Sequence, residues 1–193
     1  MIKSRSGFTI VEMVVVIAVI GILAAITIVT YDNIQAQARD SKRISGLARI
    51  SDAIQLYRQK NGNDVQTGSG CGSGNGWFNY QDPAVAPGGA YEKSVLSCLV
   101  NAGYLDESFI DPTGCTTTWG SKDGSKLPSP TCTKDGYAYM KYSCPQNGVT
   151  VTYIYARLEG RTSTQEVLDS GGCNASFVGD PATYKMNYFV KVD

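Results

Sequence analysis

A long apolar run near the N-terminus dominates the hydrophobic pattern of the chain. Residues 13–29 carry no charge, and extending the run back to Phe8 adds only Thr9 and Glu12 as polar positions. A helix rises about 1.5 Å per residue, so a run of this length crosses the hydrocarbon core of a bilayer. The pattern therefore predicts a membrane-spanning helix.

Beyond Thr30 the pattern becomes amphipathic and remains helical. No proline occurs between Phe8 and Lys60, and Asn61-Gly62 supplies a stop signal. We predict one continuous helix over residues 8–60, about 53 residues and roughly 80 Å long. Its second half presents an apolar stripe to a head domain, formed by Ile44, Leu47, Ile50, Ile54 and Tyr57 with Ala48 and Ala53 beside it.

Charged residues on the second half of this helix lie mainly on its other faces. Charges in such a pattern usually face solvent, so we predict a solvated helix face rather than a binding patch. The residues concerned are Arg39, Asp40, Lys42, Arg43, Arg49 and Arg58.

Turn-forming residues dominate much of the remaining chain. Residues 63–90 are rich in Gly, Ser, Asn and Pro and are predicted to be a long surface loop, whose aromatic residues cover the head-domain core. A short helix is predicted from Tyr91 to Ala102, and a turn at residues 111–114. The segments 115–135 and 159–183 are predicted to be loops, each closed by a disulfide.

Three segments rich in β-branched and aromatic residues predict strands, namely residues 137–142, 149–158 and 184–192. Gln146-Asn147-Gly148 is a hairpin signal between the first two. An antiparallel sheet packed on the C-terminal half of the long helix is the simplest architecture. The predicted fold class is therefore α+β.

The cysteines all lie downstream of the apolar run. None forms a Cys-x-x-Cys pair, which argues against zinc-ribbon and thioredoxin-like sites. Their even number in a loop-rich region favours disulfides in an oxidising location outside the cytoplasm, over the alternative of buried reduced thiols. Among the possible pairings we predict Cys71–Cys98, Cys115–Cys132 and Cys144–Cys173.

Charge and composition limit the chemistry of the head. Lysine plus arginine equal aspartate plus glutamate at 17 each, so the net charge gives no reason to expect a nucleic-acid partner. The sequence contains no histidine, the commonest general base and metal ligand. No motif places another base beside a nucleophile, so we predict that the protein is not an enzyme.

No cofactor is predicted. A calcium site is the less favoured alternative, because no EF-hand loop is present and aspartate is ordinary in Gly-rich turns. Its oxygen ligands would come from Asp123, Asp135, Asp169 and Asp180. Asn174-Ala175-Ser176 has the form of a glycosylation sequon, a weak three-residue signal.

Glu12 is the residue that a plain membrane anchor leaves unexplained, since an ionised carboxylate in an apolar segment costs several kcal/mol. Lys3 and Arg5 precede the run, so the positive-inside rule places the N-terminus in the cytoplasm and the chain after Tyr31 outside. An ordinary signal peptide is the other alternative. Its candidate cleavage pattern, Ala36-Gln37-Ala38, lies too far beyond the apolar run.

The segment Gly7-Phe8-Thr9-Ile10-Val11-Glu12 resembles the processing motif of type IV prepilins and type II secretion pseudopilins. The resemblance continues through residues 20–26 to Tyr31. It implies that a dedicated peptidase cuts after Gly7, that Phe8 becomes N-methylated, and that Glu12 is the family's signature acid. A looser resemblance to the pilin head rests on Tyr104-Leu105, Asp111-Pro112 and Tyr137-Ala138-Tyr139.

The motif also has a physical interpretation. Cleavage before Phe8 places an ammonium group at the tip of the helix, where it adds to the positive end of the helix dipole. In a stack of staggered parallel helices, Glu12 of one subunit can meet Phe8 of its neighbour. Such an ion pair adds little net stability, but it penalises incorrect registers because an unpaired buried charge is costly.

The predicted organisation is a leader at residues 1–7, a transmembrane and filament-core helix at residues 8–30, and a head-bearing region at residues 31–193. The resemblance implies a structural subunit of an extracellular type IV pilus-like filament, held in the cytoplasmic membrane before assembly. The alternatives are a type II secretion pseudopilin, or a minor tip pilin acting as an adhesin or DNA-binding module. Expected partners are further copies and other pilins, a prepilin peptidase and methyltransferase, and the assembly machinery.

Overall fold

The structure, a computed structural model, describes residues 7–62, 64–65, 75–77, 94–105, 112, 139–181 and 184–192. The chain divides into two compact units, one ending at Ala38 and the other beginning at Arg39. Helix α1 (Ile10–Asn61) belongs to both units. Its residues up to Ala38 lie in the first unit, and its residues from Arg39 onward lie in the second. The second unit is an α+β head.

Helix α1 is continuous over 52 residues, close to the predicted range of 8–60. It begins directly after Thr9 and ends at the predicted stop signal. The N–H group of Gly62 donates to the carbonyl of Arg58 at 2.8 Å, and Gly62 has a φ of 70°. A residue without Cβ adopts this left-handed conformation at little cost, so the Asn61-Gly62 pair ends the helix as predicted.

Within the described residues of the head, four strands form an antiparallel sheet in the order β1-β2-β3-β4. Strand β1 (Gly76–Trp77) is a two-residue edge, and β2 (Tyr139–Gln146), β3 (Val149–Ala156) and β4 (Tyr188–Val192) form the main body. The turn between β2 and β3 has a φ of 52° at Asn147 and 82° at Gly148. Two successive positive φ values are typical of a tight hairpin turn, which confirms the predicted hairpin.

The limits of the strands differ from the predicted ones. Strand β2 continues to Gln146 instead of ending at residue 142, because its pairing with β3 extends to the hairpin turn. Strand β3 ends at Ala156 instead of at residue 158. Beyond the strand, the backbone N–H group of Leu158 donates to the side chain of Asn187. Strand β4 begins at Tyr188 rather than residue 184, because Lys185 has a φ of 56° and interrupts an extended backbone.

Short helices occupy part of the region outside the sheet. Helix α2 (Val95–Asn101) corresponds to the helix predicted from residue 91, and the Ser94 side chain caps it by accepting from the N–H of Ser97 at 3.0 Å. The segment 159–183 was predicted as a loop, which is wrong in part: it contains α3 (Gln165–Asp169) and α4 (Ala175–Val178). Each of these helices buries one valine. Both helices are too short for their apolar residues to show a helical period in the sequence.

Two apolar clusters use opposite faces of the sheet, as the alternation of β3 requires. Ile154 belongs to the cluster that packs against α1 and α2, whereas Tyr153 and Tyr155 belong to the cluster that includes residues of α3 and α4. The predicted stripe of α1 lies in the first cluster through Leu47, Ile50, Ala53 and Ile54, with Tyr57 partly buried against it and Ile44 half-buried, while Ala48 is exposed.

The predicted Cys144–Cys173 disulfide is present, and it joins the end of β2 to the segment before α4. Cys98 is also disulfide-bonded. Cys71, Cys115 and Cys132 lie outside the described residues, so the other two pairings stay predictions. The same holds for the turn at residues 111–114, of which only Pro112 is described.

The prediction of a solvated charged face on α1 is wrong at Asp40 and Arg43. Arg43 is fully buried and Asp40 is buried, and both belong to an ion cluster with Glu159, which follows β3. Arg43 donates to Asp40 at 3.0 Å and to Glu159 at 2.8 Å, and Arg39 donates to Glu159 at 2.7 and 2.5 Å. Asp40 also accepts from the backbone N–H groups of Glu159 and Gly160. The cluster therefore joins α1 to the sheet inside the head.

A second buried polar network connects the end of α1 to the sheet. Lys141 on β2 is 1% exposed, and its Nζ donates to Asp64 Oδ2 at 2.8 Å. Arg58 donates to Asp64 Oδ1 at 3.3 Å, and Ser143 donates to Asp64 Oδ2 at 2.9 Å. Burial opposes ionisation of Asp64, but the two cations outweigh it and lower its pKa.

Candidate functional site

The candidate site is the N-terminal part of α1 with the three residues that precede it. Every side chain from residue 7 to residue 26 is exposed, including Phe8 at 79% and Ile10 at 85%. None of the most apolar 18-residue stretch of α1 is buried. Its length and composition suit a membrane span. An apolar surface of this size requires cover from lipid or from other protein chains.

Residues 7–9 are not helical, so the Gly7–Phe8 peptide bond lies just outside α1. Both residues are exposed, and nothing lies within 4 Å of the position a Cβ would take on Gly7. A peptide bond outside a helix has no intrahelical hydrogen bonds to break before it enters a peptidase. The local geometry is therefore compatible with the cleavage that the motif implies.

Glu12 and Thr9 cap the start of α1 reciprocally. The Glu12 carboxylate accepts from the Thr9 backbone N–H and from the Thr9 hydroxyl, both at 2.8 Å. The Thr9 hydroxyl in turn accepts from the Glu12 backbone N–H at 3.2 Å. This arrangement is a capping box, and it satisfies N–H groups that a helix start would otherwise leave unpaired.

The sequence interpretation of Glu12 missed its contact with Thr9. The Thr-x-x-Glu spacing before an apolar run is the signal that predicts this contact. The structure brings the carboxylate back to the residue that follows Phe8, at the tip of the helix. A negative group there lies beside the positive end of the helix dipole.

The candidate calcium ligands of the head do not form a metal site in the part of the chain that the structure describes. Within residues 7–62, 64–65, 75–77, 94–105, 112, 139–181 and 184–192, no group of three or more His, Cys, Asp or Glu residues is placed to hold a metal ion. Of the four aspartates considered for calcium, Asp123 and Asp135 lie outside the described residues. Asp169 accepts from the Gln165 side chain at 2.7 Å. Asn174 of the sequon is exposed at the start of α4.

Comparison with known proteins gives a matching protein family and several similar proteins. The family described as "Prokaryotic N-terminal methylation motif" matches residues 2–28. The chain is 39% identical over 66 residues to "Type IV major fimbrial protein FimA" of Dichelobacter nodosus, covering 33% of this chain and 42% of that protein. It is 36% identical over 53 residues to "Fimbrial protein" of Pseudomonas aeruginosa, covering 28% and 34% of the two chains.

A secretion protein is also similar to this chain. "Type II secretion system core protein G" of Aeromonas hydrophila is 30% identical over 59 residues, covering 31% of this chain and 41% of that protein. The chain thus spans less than half the length of these curated relatives. No solved structure matches.

Proposed function

We propose that this chain, whose N-terminal segment is that of a type IV pilin or type II secretion pseudopilin, is a structural subunit of an extracellular type IV pilus-like filament. Its role is architectural rather than catalytic. The apolar part of α1 anchors the subunit in the cytoplasmic membrane before assembly and forms the filament core afterwards. The α+β head faces outward.

The observation that carries this proposal is an apolar stretch of α1, residues 10–26, whose side chains are all exposed and which has one carboxylate, Glu12, close to its start. A plain anchor needs no charge there, and an apolar environment penalises one. When the helix packs among copies of itself, such a charge favours one axial register. Only one offset between neighbouring helices gives the carboxylate a cationic partner.

Processing after Gly7 supplies that partner. A prepilin peptidase would release the leader of residues 1–7 and expose the α-ammonium of Phe8, which a methyltransferase would then modify. The capping box holds the Glu12 carboxylate at the helix tip in the single chain. A carboxylate has about four acceptor positions, so it can accept from an ammonium group of a neighbouring subunit while Thr9 remains bound.

Two substitutions at Glu12 distinguish the role of its negative charge from its role in capping the helix. Glu12→Ala removes both, whereas Glu12→Gln keeps an oxygen that accepts from Thr9 and removes only the charge. We expect cleavage after Gly7 in both variants, and at least about tenfold fewer filaments than in the wild type, in line with loss of a charge-assisted contact. Filaments are counted by electron microscopy of sheared surface material, and mass spectrometry reports the N-terminus.

The matched control is Asp32→Asn, which removes an exposed carboxylate of α1 beyond the apolar run. We expect this variant to assemble normally. Wild-type filament numbers from Glu12→Gln would contradict the register role. A mature N-terminus at Arg39 rather than at an N-methylated Phe8 would mean an ordinary signal peptide instead of prepilin processing.

The second candidate function is a pseudopilin in a short periplasmic filament, which the similarity to the secretion protein supports. Higher identity to the fimbrial proteins favours the surface filament. A third role, as a minor tip pilin presenting the head to a surface or to DNA, uses the same assembly segment.

Long surface filaments composed mainly of this chain support the first role. Loss of exported proteins without loss of surface filaments, on deletion of the chain, supports the second.

A further inference from the structure

The dipeptide Asn-Gly occurs three times in the sequence, at Asn61-Gly62, Asn75-Gly76 and Asn147-Gly148. This dipeptide is chemically labile, because the backbone nitrogen that follows an asparagine can attack the side-chain amide of that asparagine. Glycine leaves the attacking nitrogen unhindered, since it has no Cβ. All three asparagines are exposed, so access of water does not distinguish them. Their hydrogen bonds do distinguish them.

Asn61-Gly62 is held by the end of α1. The side-chain amide of Asn61 donates to the carbonyl of Tyr57 at 2.8 Å. The N–H group of Gly62 donates to the carbonyl of Arg58 at 2.8 Å. Both the amide that would be attacked and the nitrogen that would attack it are therefore engaged. The last turn of the helix must open before they can react with each other.

Asn75-Gly76 is held by strand β2. The side-chain oxygen of Asn75 accepts from the N–H group of Ser143 at 2.6 Å, and its amide nitrogen donates to the carbonyl of Ser143 at 3.4 Å. Gly76 itself pairs with Lys141 in the sheet. The side chain of Asn75 thus has to leave the sheet before it can turn toward the nitrogen of Gly76.

Asn147-Gly148 has neither restraint. It forms the turn between β2 and β3, and both residues are exposed. Within the described part of the chain, neither the Asn147 side chain nor the Gly148 N–H group makes a hydrogen bond. Leaving aside its chain neighbours, nothing lies within 4 Å of the position that a Cβ would take on Gly148. The amide and the attacking nitrogen are both available to react.

We propose that Asn147 is a site of self-modification, at which the backbone of Gly148 converts the asparagine to aspartate and isoaspartate in the folded head. Hydroxide removes the proton from the Gly148 nitrogen. That nitrogen bonds to Cγ of Asn147, and the bond from Cγ to Nδ2 breaks. The leaving nitrogen takes a proton from water and departs as ammonia, which regenerates hydroxide. The product of this step is a five-membered cyclic imide.

Water then opens the imide at either of its carbonyl groups. Opening at one carbonyl gives aspartate, and opening at the other gives isoaspartate, in which the main chain runs through the former side chain. Overall, water is consumed and ammonia is released. The reaction needs only water and the chain itself.

The modification changes the exposed end of the β2–β3 hairpin. Both products are carboxylic acids, which are ionised at neutral pH, so each event adds a negative charge. The charge appears next to Val149, which is 64% exposed. Isoaspartate also adds a CH2 group to the main chain of a tight turn, so we expect it to disturb the pairing of Gln146 with Val149. The Cys144–Cys173 disulfide confines this disturbance to the end of the hairpin.

This inference does not rest on filament assembly, since the hairpin belongs to the head. The test incubates the folded full chain in a non-ionic detergent for weeks, and mass spectrometry of its peptides measures the acid formed at each Asn-Gly pair. We expect Asn147 to convert at least about tenfold faster than Asn61 and Asn75, because hydrogen bonds must first break at those two sites. Both aspartate and isoaspartate should form at residue 147, at a rate that rises with pH.

The matched control is the same chain, reduced and unfolded in denaturant. Its three Asn-Gly pairs have lost their folded hydrogen bonds, so we expect their rates to agree within about threefold. The proposal is wrong if Asn147 in the folded chain reacts no faster than Asn61 and Asn75. Formation of aspartate without isoaspartate would also contradict it, because direct hydrolysis of the side chain gives aspartate alone.

Two variants connect the chemistry to the charge of the head. Asn147→Gly removes the amide and allows the positive φ of 52° at this position. In isoelectric focusing, we expect it to accumulate acidic forms at least about tenfold more slowly than the wild type. Asn147→Asp should migrate with the acidic form of the aged wild type. Equal acidification of Asn147→Gly and the wild type would overturn the proposal, and the peptide measurement on the wild type decides it even if this variant does not fold.

Discussion

Helix α1 has two parts whose side chains meet different surroundings. From Ile10 to Ile26 every side chain is exposed although nearly all are apolar. From Arg39 to Asn61 the same helix buries leucine and isoleucine side chains and also the charged side chain of Arg43. Along this helix, whether a side chain is buried therefore does not depend on how apolar it is. It depends on whether the same chain supplies a surface for that side chain to pack against.

The two parts differ in what is needed to complete them. The head supplies Glu159 and the apolar face of the sheet to the later part of α1, so that its contacts are made inside one subunit. In the early part, the side chains of residues 10–26 are exposed, so lipid or neighbouring subunits must cover them. Mutations in the two parts should accordingly appear in different measurements, unfolding for the later part and assembly for the early part.

The largest effect is expected at Arg43. Arg43→Ala leaves Asp40 and Glu159 with fewer cationic partners in a buried site, so we expect a loss of about 3 kcal/mol in the free energy of unfolding of the head. Lys42→Ala, next to it but exposed, should change that free energy by less than about 0.5 kcal/mol. Chemical denaturation followed by circular dichroism measures both. Equal losses in the two variants would mean that the ion cluster does not stabilise the head.

A charge placed on each part of α1 sharpens the comparison further. Ile17 and Leu56 are both exposed, at 65% and 48%. Ile17→Glu should reduce filament yield about a hundredfold, because a charge in an apolar environment costs roughly 3 kcal/mol. Leu56→Glu should leave assembly and unfolding close to those of the wild type, since solvent already covers this site. Similar filament yields from both variants would contradict the assignment of the early part to an apolar environment.

The smallest effect is a dependence on pH confined to the head. The pKa of Glu159 is lowered in the fold, chiefly by hydrogen bonds from Arg39. Its ionised form therefore stabilises the head above the unfolded pKa of about 4.3, and this contribution is lost as the pH falls through the lower folded pKa. We expect Glu159→Gln to reduce the unfolding temperature at pH 7 and to differ less from the wild type below about pH 4. Parallel pH profiles for the two proteins would show that Glu159 makes no such contribution.

Sequence alone determined the features that depend on neighbours in the chain. The apolar run and the Gly7-Phe8 and Glu12 spacing are local, and so are the helix stop at Asn61-Gly62 and the hairpin at Asn147-Gly148. Each follows from local patterning or from the conformations that one or two residues allow. The stripe containing Leu47 and Ile54 was also predictable, because helical spacing alone places such residues on one face.

Tertiary structure alone decided which charges are buried. Arg43 and Lys42 are neighbouring cations in the sequence. Asp40 lies only three positions before Arg43, but the other carboxylate that pairs with Arg43 is at Glu159, 116 positions along the chain. Lys141 likewise contacts Asp64 only in the folded head, which brings β2 next to the residues that follow α1. The cost of burying a charge depends on the geometry of its partners, and the fold brings those partners together from distant positions.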